Sequence, residues 1–446
     1  MEPNQMRVIR AELVYVDGKF RSDTSLVIAG DRIADVCARG SEPNGAEIDD
    51  WGEVALMPGT VNAHGHAFQN LFKGIADDRT FESWRDDVLY PLSSELDRDA
   101  IYTGALFAFA EALAAGVTTT TDFFYLHDDG NDNAEAVIQA GRDAGIRLVL
   151  ARAFYDVDAP TGAPGRYRER AHDAADRTLS MARSYAEDPM VSVQPAPHSL
   201  HGASPETIGV ALEVARELDV GCHLHLAEAR YEVDLIVERF GTTPARLLSR
   251  EGLLDPRLIC IHSVWLDNEE LDLVAQSGAG VVHCPGANTF LGDGFARLTE
   301  MLDRRIPVAL GPDGGCANNR QSVVDEMRSA TLIAKGLNND GSTIDAATAF
   351  ELGTGAGARM LGVESGALAP GRLADLVALD LTDLSLQPVE WLQKNVVSSM
   401  QQTAIARVMV GGEIVCERGH PTRIDATELR ERIASATKGF RPAASR

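Results

Sequence analysis

The sequence predicts an α/β fold, a closed (β/α)8 barrel of the TIM type with a small β-sandwich formed by the N- and C-terminal segments. Three observations predict it. Between residues 58 and 364, short β-type runs alternate with longer segments, such as ETIGVALEVARELDV and NEELDLVAQSG, whose apolar residues recur at three and four, as an amphipathic helix requires. The β-type runs number eight and are apolar enough to be buried on both faces, which implies parallel pairing and a closed ring rather than an open sheet. On either side, residues 7–36 and 372–418 are β-rich and broken by Gly and Asp turn signals.

In chain order the barrel strands are expected at TVNAH (60–64), TTTTD (118–122), RLVLARAF (147–154), VSVQPAPH (191–198), GCHLHLAE (221–228), LICIHS (258–263), GVVHCP (280–285) and PVALGPDG (307–314). Residues 58–364 would then be the barrel domain. The outer runs, RVIRAELVYVDG and SLVIAGDRIADV at one end, RLADLVALDL and ARVMVGGEIVCERG at the other, could pair into one composite sandwich of residues 1–57 and 365–446. Two unrelated hairpins would read the same way.

Composition narrows the function classes. The chain has 446 residues, 45% apolar and 24% charged, with no repeat or low-complexity tract, so a large packed core is expected. A net charge of −25 without a basic cluster argues against nucleic acid and anionic membrane as partners. The first residues lack a basic stretch followed by an apolar one, and no run approaches a membrane span; a cytoplasmic protein is the expectation. The six cysteines, Cys37, Cys222, Cys260, Cys284, Cys316 and Cys416, form no CxxC pair and read as reduced thiols, mostly buried.

Histidines carry the functional signal. Nine of eleven (His64, His66, His127, His198, His201, His223, His225, His262, His283) lie in or just after an expected strand, most towards its C-terminal end, the active-site face of such a barrel. Burying nine imidazoles from separate strands would be costly without a metal or catalytic task. His64 and His66, at i and i+2 of a strand, point to one side. With His225 ending the fifth strand and Asp313 ending the eighth, they offer three imidazoles and a carboxylate to one divalent ion, Zn²⁺ or another first-row metal such as Fe²⁺. The fourth strand has no lysine that could bridge a second ion. Glu228, three residues after His225, is placed to carry protons; the alternative is a helix N-terminal acid. His262 reads as part of the site or as a satisfied polar residue in the barrel mouth. His223 lies deeper and reads as structural, while Trp84, Trp265 and Phe290 read as packing.

The segments LMPGTVNAHGHAFQNLFKG, LHLAEARYEVD, CIHSVWLD, HCPGAN, ALGPDGGCANN and GALAPGRLADLVALD together resemble the amidohydrolase superfamily, in its cytosine deaminase-like branch with the ATZ/TRZ hydrolases. The resemblance implies a metal-dependent barrel hydrolase with a composite sandwich, a small-molecule substrate and a homo-oligomer, a dimer. It implies His64, His66, His225 and Asp313 as ligands, Glu228 and Asp313 as the groups that deprotonate water, and His262 as the group that orients or polarises. Local words resemble formimidoylglutamate deiminase: HAFQ (66–69), FESWRDD (81–87), FFYLHDD (123–129), APHSL (196–200) and LGDG (291–294). Through them Gln69, Arg85, Tyr125 and His198 are expected to bind substrate, with His201 standing where those deiminases have an arginine. Imidazole offers no fixed, charged fork to a carboxylate, so a related imino or amino substrate is expected to outperform formiminoglutamate. HCPGAN and the Asn-Asn after Asp313 resemble instead the purine, pterin and triazine deaminases. The expected reaction is hydrolytic removal of an amino or imino nitrogen. Halide displacement from a triazine is the alternative within the class, and a non-catalytic scaffold the alternative outside it.

Overall fold

Eight parallel strands form a ring: β1 (Thr60–Asn62), β2 (Val117–Phe124), β3 (Arg147–Phe154), β4 (Val191–Pro197), β5 (Cys222–Leu226), β6 (Leu258–His262), β7 (Gly280–His283) and β8 (Val308–Leu310). They belong to a computed structural model that describes residues 6–157 and 162–441. β1 to β4 pair in sequence order as one parallel sheet and β5 to β8 as another. Backbone hydrogen bonds join the halves at both seams. His225 N donates to His198 O at 3.0 Å beside β4 and β5, and Ala63 N donates to Leu310 O at 3.0 Å beside β1 and β8. The second seam requires glycine at 311, where a Cβ would sit 2.8 Å from the His64 backbone nitrogen.

The sequence explains these elements locally. All eight residues of RLVLARAF in β3 are buried, as a strand covered on both faces must be. Helices on the outside start on side-chain caps: Asp97 for Arg98–Ala114, Ser204 for Pro205–Leu218, and a reciprocal Asp267/Glu270 box for Asn268–Ser277. At the mouth, pairing stops earlier than the sequence suggests, at Asn62, His283 and Leu310. His64, His66 and Asp313 therefore lie in loops, and their aim comes from side-chain bonds rather than strand alternation. His64 N donates to Asn62 Oδ1 at 3.0 Å, and Ala67 N to Asp122 Oδ1 at 2.6 Å.

Both ends of the chain build the sandwich. Leu376–Asp380 pairs antiparallel with Val54–Pro58 at the centre of a seven-stranded sheet, and a four-stranded sheet formed within residues 6–50 packs over it. Ile9, Val14, Leu26, Trp51, Leu56, Leu376 and Met409 share one buried core, which excludes unrelated hairpins. Beyond it, helix Ala426–Ala436 returns to lie on Arg98–Ala114, and Phe440 meets Phe72 with ring centroids 5.7 Å apart. Among the described residues no helix is long and apolar enough to cross a membrane.

A buried ion pair fastens the two units. Arg147, the first residue of β3, holds Asp375 with two bonds of 2.9 and 3.0 Å, and Asp375 also accepts Gly411 N at 2.7 Å. Removing one partner strands the other charge in the interior. Asp375→Ala should cost about 3–5 kcal/mol of stability, read from the urea midpoint. A loss under about 1 kcal/mol, the scale of an exposed pair, would show that this contact does not secure the units.

Candidate active site

At the C-terminal ends of the strands the polar side chains converge. Asp313 Oδ1 lies 3.3 Å from His64 Nε2 and 3.5 Å from His66 Nε2. The His225 ring centroid is 4.9 Å from that of His64 and 5.4 Å from that of His66. Donor atoms within 4.8 Å of one another form three overlapping sets: His64, His66 and Asp313; His64, His225 and His262; Glu228, His262 and Asp313. The four residues expected as ligands are thus brought together, with His262 close beside them.

Their surroundings suit a cation. His66 Nδ1–H donates to Phe123 O at 2.7 Å and His225 Nδ1–H to His198 O at 2.8 Å, which leaves Nε2 of each ring as the lone-pair nitrogen. Both nitrogens of His64 are buried without a hydrogen-bond partner among the described residues, an arrangement that costs free energy unless something accepts their lone pair. Burial pushes the pKa of His64 well below the usual range and that of His66 down to about 3, so both rings are neutral, as metal ligation requires. Three imidazoles and a carboxylate could hold Zn²⁺ or a similar divalent ion.

Glu228 stands just past β5 with Oε1 3.3 Å from His262 Nε2, and Asp313 Oδ2 lies 4.0 Å from that same nitrogen. Burial, reinforced by Asp293, Asp313 and Glu232, pushes Glu228 well above the usual carboxylate range, which favours its protonated form. It is no helix cap: the following helix, Arg230–Phe240, has Ala229 at its N-cap and no side-chain cap. The backbone around these groups is strained. Ala227, His262, Ser263 and Asp313 all adopt positive φ, at 49°, 68°, 52° and 67°. Each costs about 1 kcal/mol or more and persists only where the surroundings hold it, which is characteristic of functional sites.

Gln69, Arg85, Tyr125, His198 and His201, the residues expected to contact substrate, line a cavity of about 40 Å³ together with His66, His225, Glu228, His262 and Asp313. Gln69 Nε2 donates to Tyr125 OH at 2.9 Å. The Arg85 guanidinium lies 4.8 Å from the Tyr231 ring, and its Nη1 is buried without a partner among the described residues. His201 Nε2 is 3.2 Å from Tyr231 OH; burial, then Arg85, push its pKa down to about 3. Sequence reasoning missed Phe81, Leu89, Tyr90, Tyr167 and Tyr231 in the same wall. The spacing of Phe81, Trp84, Arg85 and Leu89 in FESWRDDVL is a helical stripe that could have revealed part of it.

Some expectations are corrected. Trp84 is wall as well as packing and donates to Cys316 O at 3.1 Å, whereas Trp265 and Phe290 are 40% and 38% exposed. Not every mouth histidine serves the site. His127 bonds Ala153 O at 3.1 Å, and His223 bonds Gln194 Oε1 at 2.9 Å, the structural role expected of it. A larger cavity, about 760 Å³, opens at the opposite ends of β5 to β8 and is lined by no histidine.

Residues 55–415 match the amidohydrolase family. A 5-methylthioadenosine/S-adenosylhomocysteine deaminase of Moorella thermoacetica is 32% identical over 94% of this chain and 95% of its own. A 5'-deoxyadenosine deaminase of Methanothermobacter thermautotrophicus is 31% identical over 93% of this chain and 95% of its own. Among solved structures, an adenosine deaminase from Xanthomonas campestris with bound zinc has a TM-score of 0.89 at 26% identity, covering 98% of both chains. A mutant atrazine chlorohydrolase from Arthrobacter aurescens, complexed with zinc and atraton, has a TM-score of 0.90 at 23% identity over 97% of this chain and 100% of its own, and shares the fold.

The cluster makes a direct prediction. Protein prepared with zinc should carry about one ion per chain, and His225→Asn should retain its fold by circular dichroism yet lose most of that metal. A folded variant with undiminished metal content would remove His225 from the ligand set.

Proposed function

The chain belongs to the amidohydrolase family and is a hydrolase acting on C–N bonds of small molecules; from that premise we propose that its substrates are adenine nucleosides, those modified at the 5' position included, whose 6-amino group it replaces with oxygen. The observation that carries this reading is the pairing of buried Glu228 and His262, 3.3 Å apart, with a slot walled by Phe81, Trp84, Tyr125, Tyr167 and Tyr231. Aromatic walls suit a planar heterocycle. The relatives named as adenosine-type deaminases match along nearly the whole chain, whereas the likeness to formimidoylglutamate deiminase is confined to short words.

A divalent ion held by His64, His66, His225 and Asp313 supplies Lewis acidity that makes water nucleophilic at neutral pH. The remaining work falls to the chain. Water adds to C6 as Asp313 takes one of its protons, a proton that later replaces the one Glu228 gives up. Glu228 then delivers a proton to the amino nitrogen, the C6–N bond breaks and ammonia leaves, so that nucleoside and water become the 6-oxo product and ammonia. His262, beside both carboxylates, stabilises the charge that develops on oxygen. Halide displacement needs no proton donor, so a buried carboxyl at Glu228, beside His262, favours deamination.

Two features of the wall bear on selectivity. Arg85 is paired with Asp86 through Nε and Nη2, and its Nη1, unpartnered among the described residues, is suited to an acceptor on a 5' substituent. His201, held neutral, supplies no second positive charge, which disfavours a dicarboxylate such as formiminoglutamate. The cavity of about 40 Å³ is far below the volume of a nucleoside, so a substrate of that size would need its wall to open, and the segment carrying Phe81, Trp84, Arg85, Leu89 and Tyr90 forms part of that wall. That segment contains a π-helical turn at Arg85–Leu89.

Ammonia release should be measured with adenosine, 5'-deoxyadenosine and 5'-methylthioadenosine, and in parallel with formiminoglutamate. The nucleosides should be turned over with the higher kcat/KM; preference for formiminoglutamate would overturn the substrate class. Glu228→Gln should keep its metal and lose kcat by about 10²- to 10⁴-fold. An unchanged kcat would place the proton carrier elsewhere.

A further inference from the structure

The words HCPGAN and LGDG meet behind His262. Asn288, buried in the short helix Pro285–Phe290 that follows β7, places its Nδ2 3.1 Å from His262 Nδ1 and 3.4 Å from Asp293 Oδ2. Asp293 is buried too. Its backbone N donates to Asn288 O at 2.9 Å, and its carbonyl accepts the Trp265 indole N–H at 2.8 Å. Carboxyl, amide and imidazole form a row running from the loop after β7 to the end of β6.

The orientation of that amide determines the chemistry of the imidazole. With its NH2 group towards His262, the amide donates one hydrogen to Nδ1 and the other to Asp293 Oδ2. The reverse orientation would set the amide oxygen against Asp293 Oδ2, a contact that holds only with a proton on that oxygen. The present one leaves Asn288 Oδ1 buried without a partner among the described residues but is made whether or not Asp293 is protonated. Burial pushes Asp293 up to about 8, and the Asn288 contact works against that rise, as an N–H donor to a carboxylate does. Oδ2 can accept in either protonation state, because Oδ1 has no hydrogen-bond partner among the described residues and is open to a proton. A neutral ring whose Nδ1 accepts carries its hydrogen on Nε2. Nε2 is the nitrogen 3.3 Å from Glu228 Oε1, and it too has no hydrogen-bond partner among the described residues.

We infer that Asn288 is a positioning residue that holds His262 as the Nε2–H tautomer, so that His262 acts as a hydrogen-bond donor to the oxygen that becomes charged and leaves proton transfer to Glu228. The identity of that oxygen rests on the deaminase reading; the tautomer does not. The division of labour has a geometric basis. His262 Nε2 lies 3.3 Å from Glu228 Oε1 and 4.0 Å from Asp313 Oδ2 and is hydrogen-bonded to neither, so an N–H there is left to donate to an oxygen brought between these groups. The left-handed backbone at His262 and Ser263 aims the ring at this spot, and the amide behind it sets which nitrogen is protonated.

The test is spectroscopic first. Zinc-loaded protein labelled with ¹⁵N-histidine should give long-range ¹⁵N–¹H correlations of an Nε2–H tautomer for His262, assigned by the signal missing from His262→Asn. Asn288→Asp is nearly isosteric but puts acceptors behind Nδ1. It should move the ring towards Nδ1–H and lower kcat by about 10²- to 10³-fold, the scale of losing one preorganised donor, with KM changed less than about threefold and metal retained. A native spectrum of the Nδ1–H or doubly protonated form would overturn the inference. So would a variant that switches tautomer with kcat unchanged. Should Asn288→Asp fail to fold, the native spectrum decides alone. Should no nucleoside be a substrate, the spectrum still reports the tautomer, which separates this inference from the proposed function.

Discussion

The site depends on closure of the strand ring between β8 and β1. Two backbone bonds make it, Ala63 N to Leu310 O at 3.0 Å and Asp313 N to His64 O at 3.1 Å, and the second ties together the residues that face each other across the cluster. Gly311 makes this approach possible, since any Cβ there would collide with the His64 backbone. The ring is also why the strain at His262, Ser263 and Asp313 survives, because each strained residue is tied to an adjoining strand end: Ser263 N donates to Leu226 O at 3.0 Å, for example.

Burial sets the protonation states that the chemistry needs. The same desolvation that favours the neutral rings of His64, His66 and His262 favours the protonated form of Glu228. Neutral imidazoles can ligate a cation or donate one N–H, and a protonated carboxyl can hand its proton to a departing nitrogen. Opposite effects on two residue types thus come from one cause, the exclusion of water from the barrel mouth. In the open, Glu228 would be ionised and less able to serve as an acid.

Chemistry and selectivity come from different parts of the molecule. The groups proposed to react stand at or just beyond strand ends, where the barrel fixes their spacing. The cavity wall comes from intervening segments: Phe81, Trp84, Arg85 and Tyr90 after β1, Tyr167 after β3, Tyr231 after β5. Rigid strands tolerate little change, while these segments can be exchanged without disturbing the ring. A TM-score of 0.90 to an atrazine chlorohydrolase accompanies 23% identity, as expected where architecture is shared and the walls are free to differ.

By itself the sequence determined what periodicity and residue type can express. Eight apolar runs alternating with helical stripes gave the barrel, and β-rich ends gave the sandwich. His64, His66, His225, Glu228, His262 and Asp313 stood out because polar residues at the ends of apolar strands need a reason to be there. Other features were invisible along the chain, each for a physical reason. Tyr167 and Tyr231 look like ordinary core aromatics, and only folding brings them to one wall. Asn288 and Asp293 read as loop residues, because nothing local says that their row ends on His262, a residue of another strand. Strand alternation explained the aim of His64 and His66 wrongly, since pairing ends at Asn62 and the side chains of Asn62 and Asp122 direct the turn instead. Local pattern reports which residues are buried and with what period; which of them meet, and with which nitrogen or oxygen facing the cavity, is decided by long-range hydrogen bonds that form only when the ring closes.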